Sequence, residues 1–319
     1  MDYTILGRTG ITVSKLCFGT MSFGGDADAA MAAKMYATCR DAGINFFDCA
    51  NVYTGGRAEE ILGELMAHER DEIVITSKVG SGKTPNQFGL SPRHIKLSVE
   101  ASLKRLNTDR LDVLFVHRWD DDTPIEVTLR ALEDIVRDGK ALSIGVSNWA
   151  AWQIAKALGI SERLALSRFD VVQPMYNLVK RQAEVEILPL ALSEGLAVTS
   201  YSPVGGGLLS GKYRKADAEG RIRTNPEYVG RYSPDWMFDT AADFAGFAEG
   251  HNWHPVSLAV AWVASHPAIT APLIGARDID QLAPSLMALD IPMTDDLRAE
   301  ISALSPTPPP ATDRLEEQG

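Results

Sequence analysis

The sequence predicts a (β/α)8 barrel. Eight short apolar runs alternate with helix-like segments, and polar residues able to do chemistry stand where several of the runs end. The runs are Leu16–Phe18, Asn45–Phe47, Ile73–Thr76, Leu111–Val116, Ser143–Val146, Asp170–Val172, Ala197–Ser200 and Thr270–Ile274. They are continuously apolar, as expected of parallel strands buried on both faces. An open doubly wound sheet is the other arrangement such alternation allows.

Each element has a local reason. Tyr3–Ile5 and Ile11–Val13, joined through Gly7–Gly10, read as a hairpin ahead of the first barrel strand. Ser91 and Pro92 supply an N-cap and a first-turn proline, after which Ile95, Val99, Leu103 and Leu106 recur on one helical face. Thr123-Pro124-Ile125-Glu126 reads as a capping box opening a helix with the stripe Ile125, Leu129, Leu132 and Val136, and Gly139 stops it. The stretch from Ser202 to about Asp239 is rich in glycine and polar residues and reads as a long functional or mobile loop. One domain spanning residues 1–304 is expected, followed by a flexible tail over 305–319 that contains Pro308-Pro309-Pro310.

Composition narrows the function. The 319 residues are 45% hydrophobic and 23% charged, an ordinary globular profile, and the net charge of -11 disfavours nucleic acid or an anionic membrane as partner. The N-terminus lacks an apolar targeting segment, and no stretch reaches transmembrane length. Cys17, Cys39 and Cys49 form an odd set without CxxC spacing, which fits a reducing, cytoplasmic location.

Familiar site motifs are missing. Gly205-Gly206-Gly207 lacks the third glycine of a dinucleotide fingerprint. Gly82-Lys83-Thr84 suggests a P-loop, but Ser77 stands where its first glycine belongs. The six histidines show no HxH or HExxH spacing, so no metal is expected.

Asp48, Tyr53, Lys78 and His117 all follow strand-like runs, and strand ends of a barrel face the active site. An Asp–Lys pair alone reads as structural. Joined by a phenol and an imidazole, it reads as a proton-transfer site. The ordered motifs around these residues resemble the aldo-keto reductase superfamily. They are Leu6-Gly7-Arg8-Thr9-Gly10, Asp48-Cys49-Ala50-Asn51-Val52-Tyr53, Ile75-Thr76-Ser77-Lys78 and Gly145-Val146-Ser147-Asn148, and the likeness runs from about Leu6 to Leu289. His117-Arg118-Trp119-Asp120 most resembles the bacterial aryl-alcohol-dehydrogenase-like branch.

That resemblance implies reversible reduction of aldehydes or ketones by direct hydride transfer from NADP(H), with NAD(H) left open. Tyr53 would be the general acid and base, Lys78 would lower its pKa, Asp48 would hold Lys78 charged, and His117 would orient the carbonyl and assist proton relay. Cofactor contacts carry over to Gly19, Thr20, Met21, Asp48, Ser147, Asn148, Gln173, Tyr201, Ser202, Pro203, Val204, Leu208, Ser210 and Lys212. The adenosine 2′-phosphate would meet Gly275, Arg277 and Gln281, with Ser285 near the adenine, although Asp278 adds negative charge beside Arg277 and Pro284-Ser285 departs from the family pattern. Phe23, Trp119 and Trp149 are candidate walls for a small carbonyl or alcohol substrate. Two other functions fit less of the pattern: an NADP-binding regulatory subunit of a membrane protein, and a lyase forming a Schiff base on Lys78.

Overall fold

The computed structural model describes residues 1–82, 84–215 and 218–312. The chain begins with an antiparallel hairpin, β1 (Tyr3–Ile5) and β2 (Thr12–Ser14). Strand and helix then alternate: β3 (Cys17–Gly19), α1 (Ala29–Asp41), β4 (Phe46–Asp48), α2 (Arg57–Met66), β5 (Val74–Val79), α3 (Pro92–Leu106), β6 (Leu111–Val116) and α4 (Ile125–Arg137). They continue as β7 (Ala141–Ser147), α5 (Ala151–Leu164), β8 (Phe169–Gln173), α6 (Ile187–Glu194) and β9 (Ala197–Val198). An excursion carrying α7 (Arg221–Thr224), α8 (Pro226–Arg231), α9 (Asp235–Gly250) and α10 (Pro255–Ala264) leads to β10 (Leu273–Ile274), α11 (Ile279–Leu286) and α12 (Asp295–Ser302).

The strands from β3 to β10 pair in parallel in the order β10-β3-β4-β5-β6-β7-β8-β9. Backbone bonds from Thr270 N to Val198 O (2.9 Å) and from Leu273 N to Ser200 O (2.8 Å) join the two ends of that order. The result is the (β/α)8 barrel that the sequence predicts.

Side chains alternate between two cores. Cys17, Phe46, Val74, Val113, Val171 and Ala197 point into the barrel, while their neighbours Phe18, Phe47, Ile75, Leu114, Val172 and Val198 pack outward under the helices. Burial on both faces is why these strands read as unbroken apolar runs. Leu6 and Val13 of the hairpin join the inner core, and Ser14 N donates to Asn45 Oδ1 at 2.7 Å, so the hairpin covers the N-terminal mouth. The opposite mouth is left for chemistry.

Local signals acted as expected at α3, where the Ser91 hydroxyl accepts from His94 N and Asn107 ends the helix at φ +50°. Several expectations need correction. Thr123 does not cap α4: Pro124 holds the N-cap position without a side-chain bond, and the Thr123 hydroxyl is drawn to Asp120 instead. Strand β10 spans two residues because Pro272 has no N–H to give to a ladder. Strand β5 runs on to Val79, so Lys78 lies inside it and not beyond its end. The stretch after Ser202 is not structureless: Asn225 caps α8 with Pro226 in its first turn, and short 3-10 turns cover Gly205–Ser210 and Lys212–Arg214. Ser305, the first residue of the expected tail, is buried, and its carbonyl accepts from Arg181. Residues 313–319 of that tail, and Lys83 of the P-loop-like stretch, lie outside the described residues. Among the described residues no helix is long and apolar enough to cross a membrane.

The β7–β8 pairing shifts register between Ile144 and Gly145, just before the strand reaches Ser147. A methyl group on Gly145 would fall 2.5 Å from the Phe115 ring and 2.8 Å from the Val171 carbonyl oxygen. Gly145→Ala is therefore expected to lower unfolding free energy by about 1–3 kcal/mol through overpacking. Urea denaturation checks this, and an unchanged midpoint would refute the reading.

Candidate active site

Strand β4 ends at Asp48, and its carboxylate organises the C-terminal mouth. Oδ1 accepts from Thr76 Oγ1 at 2.8 Å and from Gln173 Nε2 at 2.9 Å, while Oδ2 faces Lys78 Nζ at 2.5 Å. Both members of the ion pair are fully buried. The Lys78 ammonium also donates to the Cys49 carbonyl at 2.8 Å and to the Tyr53 hydroxyl oxygen at 3.2 Å. An ammonium has three donors, and all three have acceptors here.

Tyr53 reaches Lys78 because the chain turns tightly after β4. A 3-10 turn over Tyr53–Gly56 includes Thr54 at φ +46° and Gly55 at φ +68°, and the Thr54 hydroxyl holds it to the Phe23 carbonyl. His117 follows β6 directly, with its N–H on the Val79 carbonyl. Its ring meets Tyr53 edge-on with centroids 6.2 Å apart. The structure thus brings all four residues to one place.

Their electrostatics differ from the sequence expectation. Burial pushes the Tyr53 phenol up to about 12, outweighing the lowering effect of Lys78. Burial also opposes the Lys78 charge, yet Asp48 and Tyr53 together hold the ammonium above the ordinary lysine value. Burial, then the positive charges of Lys78 and Arg118, push His117 down to about 3. One charged pair therefore stands beside two neutral groups, a phenol and an imidazole, at neutral pH. The His117 Nδ1 is buried with no hydrogen-bond partner among the described residues.

A second polar group lies across the mouth. Ser147 Oγ donates to the Gln173 carbonyl at 2.9 Å, Asn148 Nδ2 donates to the His117 carbonyl at 2.9 Å, and Tyr201 OH donates to Asn148 Oδ1 at 2.7 Å. Asn148 sits at φ +58°, which turns its amide back over the strand end. Thr20 donates through both N–H and hydroxyl to the Asp48 carbonyl, tying Gly19 and Thr20 to β4, while Met21 beyond them is exposed.

Farther out, Gly205, Gly206 and Gly207 all have positive φ, followed by buried Leu208 and by Ser210 bonded to the Gly207 carbonyl. Gly207 at φ +97° takes a backbone conformation that favours glycine, and a carbon added there would lie 3.9 Å from Lys212 Nζ, which places the turn beside an ammonium. Ser202 caps the same turn through Gly206 N, with Pro203 and Val204 between them. Backbone N–H groups in such a turn, with a hydroxyl and an ammonium nearby, fit a diphosphate. Arg277 and Gln281 lie side by side 3.4 Å apart after Gly275. Asp278 is occupied as the N-cap of α11, and Ser285 is buried farther along that helix.

The proposed aromatic walls divide. Phe23 is fully buried against Phe18, with ring centroids 5.8 Å apart, so its ring belongs to the core. Trp119 meets Trp149 edge-on at 4.7 Å and also meets Trp152 at 5.8 Å. Sequence reasoning missed Trp152, although its spacing of three from Trp149 at a helix start was readable. It also missed Thr76 and the Cys49 carbonyl, because a threonine inside a strand and a main-chain oxygen carry no motif.

The sequence profile of the Aldo/keto reductase family matches residues 15–306. This chain belongs to that family. A "Probable voltage-gated potassium channel subunit beta" of Oryza sativa subsp. japonica is 38% identical over 325 residues, covering 98% of this chain and 99% of that protein. An "Uncharacterized oxidoreductase YrpG" of Bacillus subtilis (strain 168) is 35% identical, covering 97% of each chain. An "Aryl-alcohol dehydrogenase GME11368" of Pestalotiopsis microspora is 33% identical, covering 91% of this chain and 78% of that one. In this aldo/keto reductase the Asp48–Lys78 pair is fully buried, so removing one partner alone is costly. Asp48→Leu leaves an unpaired buried ammonium and is expected to cost about 3–5 kcal/mol of stability, part of which Asp48→Leu with Lys78→Met recovers. Denaturant titration of both variants checks this, and equal stability of the wild type and the single variant would contradict it.

Proposed function

We propose that this chain is an NADP(H)-dependent oxidoreductase that interconverts carbonyls and alcohols, with Tyr53 as general acid in reduction and general base in oxidation. The observation that carries this reading is the direction of one hydrogen bond. Lys78 donates to the Tyr53 oxygen, so the phenolic proton is free to point toward a substrate oxygen. As that proton leaves, the phenolate forms beside an ammonium already fixed by Asp48 and the Cys49 carbonyl. Lys78 thus acts by stabilising the product of proton transfer, since the resting phenol is raised and not lowered. Neutral His117, edge-on to Tyr53, suits a hydrogen bond that fixes the carbonyl.

A nicotinamide bound at this mouth would supply or accept the hydride. Ser147, Asn148 and Gln173 offer polar groups for its carboxamide, Tyr201 an aromatic face, the Gly205–Ser210 turn with Lys212 a diphosphate seat, and Arg277 with Gln281 a seat for a 2′-phosphate. The oxidoreductase names of the Bacillus and Pestalotiopsis relatives support this reading. The Oryza relative supports a second one, in which the chain is a nicotinamide-binding regulatory subunit. A Schiff-base lyase has less support, because Lys78 is held charged by a buried carboxylate.

Tyr53→Phe is expected to lower kcat/KM for aldehyde reduction by about 10²–10⁴-fold while NADPH affinity stays within about twofold. In the wild type kcat/KM should hold level from about pH 5 to 10: His117 charges only as pH falls toward 3, and Tyr53 loses its proton only as pH rises toward 12. Undiminished turnover by Tyr53→Phe would overturn the role of Tyr53, and no turnover of any carbonyl by wild type that binds NADPH would favour the regulatory reading. For the cofactor, Arg277→Ala should raise the KM for NADPH about tenfold and leave that for NADH unchanged. Equal losses with both cofactors would remove Arg277 from phosphate recognition.

A further inference from the structure

A cavity of about 210 Å³ lies between the turn after β7, the loop joining β8 to α6, and Tyr201, and it shares Asn148 and Tyr201 with the proposed nicotinamide seat. Asp48, Tyr53, Lys78 and His117 take no part in lining it. Its walls are largely apolar, with Trp149, Val172, Pro174, Met175 and Ile187 around one cationic residue, Lys180. Lys180 is half-buried, and its main chain is fixed by paired backbone bonds with Asn177 (2.9 and 3.3 Å). Among the described residues no carboxylate pairs with its ammonium, and no lining residue is acidic. The Trp149 indole N–H, buried in the same wall, also lacks a hydrogen-bond partner among the described residues.

These features ask for one kind of occupant. An ammonium next to apolar surface is poorly solvated, and burial together with Arg231 already lowers its pKa. A hydrated inorganic anion would satisfy Lys180 but would have to shed water against Trp149, Met175 and Ile187. A neutral hydrocarbon would fill the walls and leave the ammonium without a counter-charge. Cavities of about 150 Å³ with apolar walls accept a benzene ring, so the volume here suits one ring carrying a small polar group.

We propose that this cavity is a binding site for a small aryl carboxylate, its ring held among Trp149, Met175 and Ile187 and its carboxylate paired with Lys180. The site is distinct from the tetrad, and the inference does not depend on the reaction assigned to Tyr53.

Benzoate is the probe and benzamide its neutral counterpart, titrated by calorimetry and by tryptophan fluorescence into the full-length wild type, Lys180→Gln and Lys180→Arg. Benzoate is expected to bind saturably to the wild type and to Lys180→Arg, and about tenfold or more weakly to Lys180→Gln. Benzamide should bind weakly to all three. Filling the cavity with Ala183→Trp should abolish benzoate binding. Four results would each overturn the proposal: no saturable binding at millimolar benzoate, equal affinity of Lys180→Gln, benzamide as tight as benzoate, or displacement of benzoate by NADPH with Lys180→Gln unaffected.

Discussion

The Asp48–Lys78 ion pair is the constraint to which the rest of the mouth is built. Removing both charges from water costs several kcal/mol per ion, so such a pair persists only where every remaining lone pair and proton has a partner. Here Asp48 accepts from Thr76, Gln173 and Lys78, and Lys78 donates to Asp48, Cys49 and Tyr53. These partners come from β4, β5, β8 and the turn after β4. Satisfying the pair therefore fixes the relative height of three strands and the reach of Tyr53 in one network.

The barrel makes room for that network by separating its polar and apolar layers along the same strands. Near the N-terminal mouth the inward residues are Cys17, Phe46, Val74 and Val113, closed off by Leu6 and Val13 of the hairpin. Two or four residues later the inward positions become Asp48, Thr76, Lys78 and Gln173. A parallel strand carries its register into its neighbour, as Asp48 opposite Thr76 and Ser147 opposite Gln173 show. A polar residue at one strand end thus meets a polar residue at the next. The apolar layer beneath keeps water from the ion pair and raises its cost, which the hydrogen bonds offset.

Much of this was legible in the sequence. The apolar runs located the strands to within a few residues because burial on both faces leaves no polar position to blur them, and Ser91-Pro92 marked the start of α3 through an actual cap. Legibility failed where a competing partner or a burial decided the outcome. Thr123 has the right spacing to cap α4, but Asp120 lies close enough to take its hydroxyl. Asn225-Pro226 carried a helix-start signal inside a stretch dominated by glycine and polar residues, and composition masked it. Phe23 sits where a pocket residue could sit, yet Phe18 and the core claim its ring. The charge neighbours of Tyr53 could be read from sequence; the depth of burial that reverses its shift could not.

That reversal sharpens the division of roles at the site. Burial favours the neutral forms of both Tyr53 and His117, but Lys78 acts on the two in opposite senses. Losing a proton makes Tyr53 an anion 3.2 Å from an ammonium, a state that Lys78 stabilises. Gaining one makes His117 a cation near the same ammonium and near Arg118, a state that both oppose. In the proposed reaction Tyr53 is therefore the group with an electrostatic reason to move its proton. His117 is better suited to orient a carbonyl as a neutral donor than to relay a proton, which narrows the part the sequence suggested for it. The asymmetry depends on Lys78 staying charged, and Asp48 ensures that.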